Sequence, residues 1–135
     1  MATQADFRIV NFNEHLGNNV GDLKVPAGFG SFNFKGNMST VKSFVIDNPP
    51  VPNEAYLLIQ TFDVNDPGHK IRINGVDLPL EDLPSHPAEN KWQTGMKKIT
   101  GTTLKQGVNT IQIIRAAGGD NFLIGDVVVH WRESA

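Results

Sequence analysis

The chain has 135 residues, the usual size of one domain, and we expect residues 1–135 to form a single unit with one hydrophobic core. Its 12 basic and 14 acidic residues give a net charge of -2, which argues against the concentrated positive surface that nucleic-acid binding requires. The lack of cysteine excludes disulfides and thiolate chemistry, and no apolar stretch approaches the roughly 20 residues of a membrane helix, so no membrane insertion is expected.

The N-terminal segment shows no targeting signal. Residues 1–10 alternate polar and apolar side chains and lack the basic region and apolar run of a signal peptide. We therefore expect a cytoplasmic protein, or a secreted one if a leader has already been removed.

The apolar pattern predicts strands rather than helices. No segment keeps apolar residues at three- and four-residue spacing over a dozen positions before a Gly, Pro or Asn intervenes. Segments rich in β-branched and aromatic residues are frequent instead. In chain order, we predict strands at residues 6–12, 38–46, 55–64, 69–73, 76–78, 96–100, 109–116 and 121–131. The segments 13–37, 47–54 and 80–94 are predicted to be irregular.

Two of these predictions carry more detail. Residues 55–64 begin with successive apolar side chains, which predicts a central strand covered on both faces and deep in the core. Asn74-Gly75 separates two short strands, and this dipeptide tolerates the positive φ angles of a two-residue hairpin turn.

The last segment, residues 121–131, alternates with a period of two. Val127, Val129 and Trp131 share one face, and the residues between them, of which His130 is one, lie on the other. Gly125 indicates a bulge within this strand.

Short strands separated by turn residues, without strand–helix alternation, are typical of antiparallel sheet proteins. In a chain of this size they predict an all-β fold, an antiparallel β-sandwich of jelly-roll type. No linker, internal repeat or low-complexity tract divides the chain.

Three segments in the C-terminal half have a recognisable sequence pattern. They are Ile71-Arg72-Ile73-Asn74-Gly75, Leu104-Lys105-Gln106-Gly107-Val108-Asn109-Thr110-Ile111-Gln112-Ile113, and residues 121–129. The first two resemble the galactose-binding-like β-sandwiches that accompany many glycoside hydrolases, and the third is similar to the last strand of some carbohydrate-binding modules. The resemblance implies a β-sandwich and sugar as the ligand class, although each matched residue also serves a turn or a core.

The loop of residues 80–94 holds the densest mixture of polar and aromatic side chains. Sugars offer hydroxyls and a weakly apolar face, so this composition suits a sugar site. The predicted ligand-binding residues here are His86, Glu89, Asn90, Trp92 and Gln93. The alternative interpretation is that Trp92 folds back over the core as a loop anchor.

A second candidate for ligand binding is the glycine-rich turn before the last strand. Asp120 and Asn121 follow Gly118-Gly119, and such a turn lets backbone amides approach a ligand closely. A plain tight turn is the alternative.

Clustered oxygen side chains suggest a metal candidate. Asp63, Asn65 and Asp66 offer the hard oxygen ligands that calcium prefers, although Pro67 stands where an EF-hand loop needs an oxygen. The alternative is that these residues cap turns. We expect no required cofactor, with a structural calcium ion left open.

The residues that enzymes use show no catalytic arrangement. No two of the four histidines have the spacing of a zinc motif, and no serine lies in a nucleophile elbow. His130, beside Trp131, is interpreted as a sheet residue.

The leading hypothesis is a non-catalytic, lectin-like carbohydrate-binding module with an exposed Trp92 or Tyr56 in a concave site. Oligomerisation of the chain would raise avidity for a glycan. The alternatives are a structural or assembly subunit that packs through sheet faces or edges, and a jelly-roll enzyme.

Overall fold

The computed structural model describes residues 2–23, 25–86 and 90–135. These residues form one short 3-10 turn, Val20–Asp22, and a series of β-strands. In chain order the strands are β1 (Thr3–Leu16), β2 (Asn33–Gly36), β3 (Lys42–Ile46), β4 (Pro50–Phe62), β5 (Lys70–Ile73), β6 (Val76–Asp82), β7 (Trp92–Ile99), β8 (Gly107–Ile114) and β9 (Phe122–Ser134). No helical segment of this described chain has the length and apolarity that a membrane crossing requires.

The strands form two sheets that pack face to face. The five-stranded sheet has the order β2-β1-β9-β4-β7, and the four-stranded sheet has the order β3-β8-β5-β6. The strand pairings are antiparallel except for β1 with β2, which run parallel along one edge. The prediction of an all-β, antiparallel β-sandwich is therefore confirmed, with one parallel edge pair as an addition.

The core lies between the two sheets. The inner face of β9 contributes Val127, Val129 and Trp131, each at most 2% exposed, as the period-two pattern predicts. The inner faces of β4, β5 and β8 contribute fully buried leucine and isoleucine side chains. Each such side chain stabilises the fold by about 1.5–3 kcal/mol relative to leaving it in water, so this layer holds the sheets together.

The predicted hairpin is present between β5 and β6. Asn74 and Gly75 have φ angles of 52° and 80°, which a two-residue turn between twisted strands requires. The Asn74 side chain then fixes the turn to the neighbouring strand: its Nδ2 donates to Asn109 Oδ1 at 2.9 Å, and Thr110 N donates to its Oδ1 at 2.9 Å.

Asn109 has an equally structural position. It is fully buried, its Oδ1 also accepts from Lys105 N at 3.0 Å, and its Nδ2 donates to Lys105 O at 2.7 Å. Asn74 and Asn109, two residues of the sequence resemblance, therefore fix a turn and the start of β8. The side-chain oxygen and the side-chain amide of each form hydrogen bonds within the protein.

The prediction that β4 is covered on both faces is wrong. Leu57 and Ile59 are fully buried, but Tyr56 is 38% exposed and Leu58 is only partly covered. β4 does lie inside the sheet, between β9 and β7. Its second apolar face is turned to solvent at Tyr56 and is only partly covered at Leu58, whereas Phe62 at the end of β4 is buried against Phe29 from the loop between β1 and β2.

Several strand boundaries also differ from the predictions. Residues 33–36 were expected to be irregular but form β2, which the edge of β1 holds by pairing. The predicted strand at 38–46 begins at Lys42, because Met38 makes only a single bridge, to Ile114. β1, β4 and β9 are longer than predicted because β9 lies between β1 and β4 and pairs with both along most of its length.

The bulge predicted at Gly125 is confirmed. The register between β4 and β9 shifts between Ile59 and Thr61, whose partners are Val127 and Ile124. Gly125 and Asp126 of β9 therefore lie opposite the single residue Gln60 of β4, which defines the bulge.

Candidate functional site

Four loops meet at one end of the sandwich, which we call the loop end. β1 and β4 finish there at Leu16 and Phe62, opposite the beginnings of β9 and β7. His86 N donates to Val64 O at 2.8 Å, which joins the loop after β6 to the loop after β4. The predicted ligand and metal residues that the structure describes therefore all lie at this end.

Trp92 begins β7 at the loop end and packs into an aromatic cluster. Its ring centroid lies 5.6 Å from those of Phe29 and Phe62 and 5.9 Å from that of Phe32. It is still 38% exposed. Trp92 thus packs against Phe29 and Phe32 from the loop between β1 and β2 while it keeps part of its surface in solvent.

Asp120 lies at the centre of a buried polar network. Its Oδ2 accepts from His69 Nε2 at 2.7 Å and from Asp66 N at 3.1 Å, and both of its oxygens lie within 3.3 Å of Asn65 N. Ala116 N donates to His69 Nδ1 at 2.9 Å, which fixes the tautomer with the proton on Nε2. Burial alone would raise the pKa of Asp120, but the hydrogen bonds from His69, Asp66 and Asn65 bring it below its ordinary value.

This network ties the loop after β4 to the loop after β8, and the Asp120 side chain is only 2% exposed. A sugar in solvent would have to displace one of these donors to reach the carboxylate.

The predicted metal residues lie beside this network. Asn65 Nδ2 donates to Asp63 Oδ1 at 3.1 Å, and Asp66 contributes its backbone amide to Asp120. Burial is the main cause that raises the pKa of Asp63, while the Asn65 hydrogen bond opposes that rise and the Asp120 charge adds to it. Within the described residues, no three His, Asp or Glu side chains form a group that could hold a metal ion.

The other predicted ligand residues are spread over the loop end. Asn90 is exposed, and His86 and Gln93 are partly buried. Glu89 lies outside the described residues. Asn121 Nδ2 donates to Gly119 O at 3.1 Å. This hydrogen bond closes a tight turn, which was the alternative to ligand binding at Asp120 and Asn121.

A second surface, which we call the outer face, is the solvent side of the five-stranded sheet. The register places Phe7, His130, Tyr56 and Lys98 opposite one another on β1, β9, β4 and β7. We call the first three of these residues the aromatic row. Phe7 is 52% exposed and Tyr56 is 38% exposed, so the row is open to water.

An apolar row runs beside the aromatic row, one pleat along each strand. Its members are Ile9, Val128, Leu58 and Met96. Ile9 and Met96 are each 62% exposed. The aromatic row and the apolar row together form one contiguous exposed patch. Large exposed patches of this kind mark binding surfaces, whereas single exposed apolar residues are common on any protein.

The rings of the aromatic row are stacked on one another. Tyr56 and His130 have centroids 4.7 Å apart and planes within 11°, and Phe7 follows at 5.9 Å from His130. His130 therefore has a ring on each side, whereas Tyr56 has one face covered and the other turned toward β7. The face of Tyr56 that contacts no other ring among the described residues, which we call its free face, is the stacking surface that this arrangement offers.

A groove of about 740 Å³ crosses the outer face beside the aromatic row. Tyr56 and His130 line it together with polar and charged residues from all four strands, namely Asp6, Asn53, Glu54, Lys98, Thr100 and Arg132. A volume of this size and a lining that mixes apolar and polar groups suit a small organic ligand or one part of a chain.

An exposed Tyr56 in a concave site was predicted from the sequence, but the rest of the outer face was missed because its members come from four strands that are distant in sequence. One sequence pattern could have indicated an exposed apolar face, since residues 55–59 and 7–12 carry apolar side chains on both of their alternating faces. One of those faces fills the core, and the other is left for the surface.

Comparison with solved structures shows a fold that several carbohydrate-binding modules share. The CBM36-1 domain of a multidomain xylanase from the hindgut metagenome of Trinervitermes trinervoides is 12% identical, with a TM-score of 0.54 over 92% of this chain and 96% of that one. A CBM36 module in complex with calcium and xylotriose is 10% identical, with a TM-score of 0.51 over 89% of this chain and 97% of that one. Dimeric latent PorU from Porphyromonas gingivalis is 10% identical, with a TM-score of 0.57 over 99% of this chain but 13% of that one.

The protein is thus a β-sandwich with the fold of these solved structures, in agreement with the fold that the sequence resemblance implies. More specifically, the chain belongs to DUF7383, a family of unknown function, which matches residues 4–133. No curated protein matches the sequence significantly.

Proposed function

We propose that this domain is a non-catalytic carbohydrate-binding module and that its sugar site is the groove on the outer face. The observation that carries the proposal is the open groove of about 740 Å³ with the free face of Tyr56 in its lining. The fold that the chain shares with carbohydrate-binding modules supports the same ligand class.

The chemistry of the groove matches that of a sugar. The C–H groups on one side of a pyranose ring form a weakly apolar surface that packs on an aromatic face such as that of Tyr56. The hydroxyls at its rim need donors and acceptors, which Lys98 and Glu54 supply from the neighbouring strand and from the start of β4.

The groove offers little for hydrolysis. Cleavage of a glycosidic bond commonly uses two carboxyl groups on opposite sides of that bond. Asp6 and Glu54 are the carboxylates of the groove lining, and Asp6 Oδ1 is held by Arg8 Nη1 at 3.0 Å. One carboxylate without a cation partner among the described residues supports binding rather than catalysis.

The test is a glycan-array screen that includes xylotriose, followed by calorimetry on Tyr56→Ala and Tyr56→Phe. We expect Tyr56→Ala to weaken binding by about tenfold or more, a loss of roughly 1.4 kcal/mol, because the stacking face is removed. Tyr56→Phe keeps the ring and should bind nearly as the wild type does. Val76→Ala, an exposed residue at the β5–β6 hairpin, is the matched control.

The loop end is the competing sugar site, and Trp92→Ala separates the two. Loss of binding in Trp92→Ala, with Tyr56→Ala unaffected, would overturn the groove and favour the predicted residues of the loop end. Each titration is run with and without calcium, because one neighbour of the same fold binds calcium together with its sugar. A calcium requirement would support the metal proposal at Asp63, Asn65 and Asp66.

A second candidate function is that of an assembly subunit, and the apolar row favours it. Exposed Ile9 and Met96 could be buried against a second copy of the chain. Light scattering at increasing concentration tests this candidate. A dimer that Met96→Lys dissociates would support assembly, whereas a monomer at every concentration would argue against it.

A further inference from the structure

We propose that the groove selects an acidic glycan, a chain that carries uronate carboxylates, and that Lys98 and Arg132 are the residues that recognise its charge. This inference rests on the proposed function and goes beyond it, since a sugar site in general needs no cation. It follows from the charges that line the groove and from the partners that those charges have.

Lys98 is the first of these cations. It lies on β7 directly opposite Tyr56, is exposed, and has no hydrogen bond or ion pair within the part of the chain that the structure describes. An ammonium group without a carboxylate partner, opposite Tyr56 on the neighbouring strand, is placed to meet a charge on the same ligand that stacks on Tyr56.

Arg132 is the second cation, and it is held in position without being neutralised. Its Nε donates to Thr3 Oγ1 at 3.1 Å, and its Nη2 donates to Thr3 Oγ1 at 3.0 Å and to Thr3 O at 3.2 Å. Thr3 is uncharged, so the guanidinium keeps its full charge. Nη1 has no acceptor among the described residues, which leaves donors for a carboxylate on a ligand.

The acidic side chains of the groove do not form ion pairs with these two cations. Asp6 is bound by Arg8, whose other terminal nitrogen pairs with Asp47 at 3.1 Å. Glu54, which is exposed, is the other carboxylate of the lining and has no ion pair among the described residues. The groove therefore offers a ligand two cations and one anion that no salt bridge occupies.

The spacing of the two cations points to a chain rather than a single sugar. Arg132 lies two residues beyond His130 on β9, and Lys98 lies two strands away from His130 on β7. With strands about 4.8 Å apart and a rise of about 3.3 Å per residue, their Cα atoms are separated by roughly 12 Å. Two cations at that distance fit carboxylates on different units of one polymer better than a single carboxylate.

The experiment compares a matched pair of ligands, an oligogalacturonate and the same oligomer with its carboxyl groups methyl-esterified. Calorimetry on the wild type should show tighter binding of the acid form by about tenfold, and added salt should reduce that preference by screening the charges. Lys98→Met and Arg132→Gln should each weaken binding of the acid form by about three- to tenfold and weaken binding of the ester form by clearly less, since the ester form loses hydrogen bonds to hydroxyls but no charge pair. Lys35→Met, on the exposed edge strand β2, is the control for loss of one positive charge elsewhere.

The outcomes distinguish a failure of the acidic preference from a failure of the proposed carbohydrate-binding function. Equal binding of the acid and ester forms, or a neutral sugar that binds better and depends on Tyr56, would overturn the acidic preference and leave the carbohydrate function standing. Failure of every glycan to bind the folded protein would overturn both proposals. An effect of Lys35→Met equal to that of Lys98→Met would show that only net charge matters and would refute the recognition role of Lys98.

Discussion

Replacement of Asp120 by alanine tests whether this residue holds the loop end together. The carboxylate accepts hydrogen bonds from His69 Nε2 and from the backbone amides of Asn65 and Asp66, and both His69 and Asp120 are buried. Asp120→Ala leaves these three donors without their acceptor. Each buried donor that loses its partner costs about 1–3 kcal/mol, and entry of water recovers part of that cost, so we expect a loss of about 3–5 kcal/mol.

Urea denaturation followed by circular dichroism measures this loss, with Asp66→Ala as the control, because the backbone amide of Asp66 stays in place when its exposed side chain is removed. A loss of this size is a large share of the 5–15 kcal/mol that typically stabilises a domain.

The pKa of Asp120 is below its ordinary value in the folded protein. Its contribution is therefore complete above an unfolded pKa of about 3.9 and is lost as the pH falls through the lower folded value. A loss below about 1 kcal/mol at pH 7 would refute the structural role and return Asp120 to the ligand candidates.

Two further substitutions test the packing elsewhere. Glu133→Gln should lower the free energy of unfolding by about 1–3 kcal/mol at neutral pH, because Trp131 Nε1 donates to Glu133 Oε2 at 2.9 Å. Burial would raise the pKa of Glu133, but hydrogen bonds from Trp131 and two side-chain amides lower it, so the difference from wild type should shrink below about pH 4. Gly95→Ala should cost about 1–3 kcal/mol in the same urea assay, since its new Cβ would meet Pro84 Cγ at 2.5 Å. Gly119→Ala, where nothing lies within 4 Å of a new Cβ, should unfold almost as the wild type does.

The features that the sequence predicted correctly depend on local chemistry. Asn74-Gly75 forms its hairpin because both residues tolerate positive φ, whatever the rest of the chain does. The buried face of β9 follows from period-two alternation alone. β2 could not be predicted in the same way, because residues 33–36 are polar or exposed and become a strand only through pairing with β1.

The sequence identified residue types for one candidate site and missed most of the other. The composition of residues 80–94 is suited to sugar binding, and the structure places its described polar and aromatic members at the loop end with Asp120 and Asn121, but a binding role for them stays a prediction. The groove required the strand register, because Phe7, His130 and Tyr56 are 49 or more residues apart in sequence and meet only through β-pairing. No pattern within one segment indicates which outward residues of different strands will be neighbours.

The apolar side chains of the outer face are best explained by binding, since the core does not use them. Replacing both Ile9 and Met96 by threonine should change the free energy of unfolding by less than about 1 kcal/mol, because each side chain is 62% exposed. By contrast, Leu57→Ala on the inner face of β4 should cost about 2–5 kcal/mol. If the double variant keeps its stability but loses glycan binding or self-association, the apolar row is part of a recognition surface. A loss of 2 kcal/mol or more would show that the row stabilises the sheet itself, and the outer face would then keep only the groove and the stacked rings as evidence for a site.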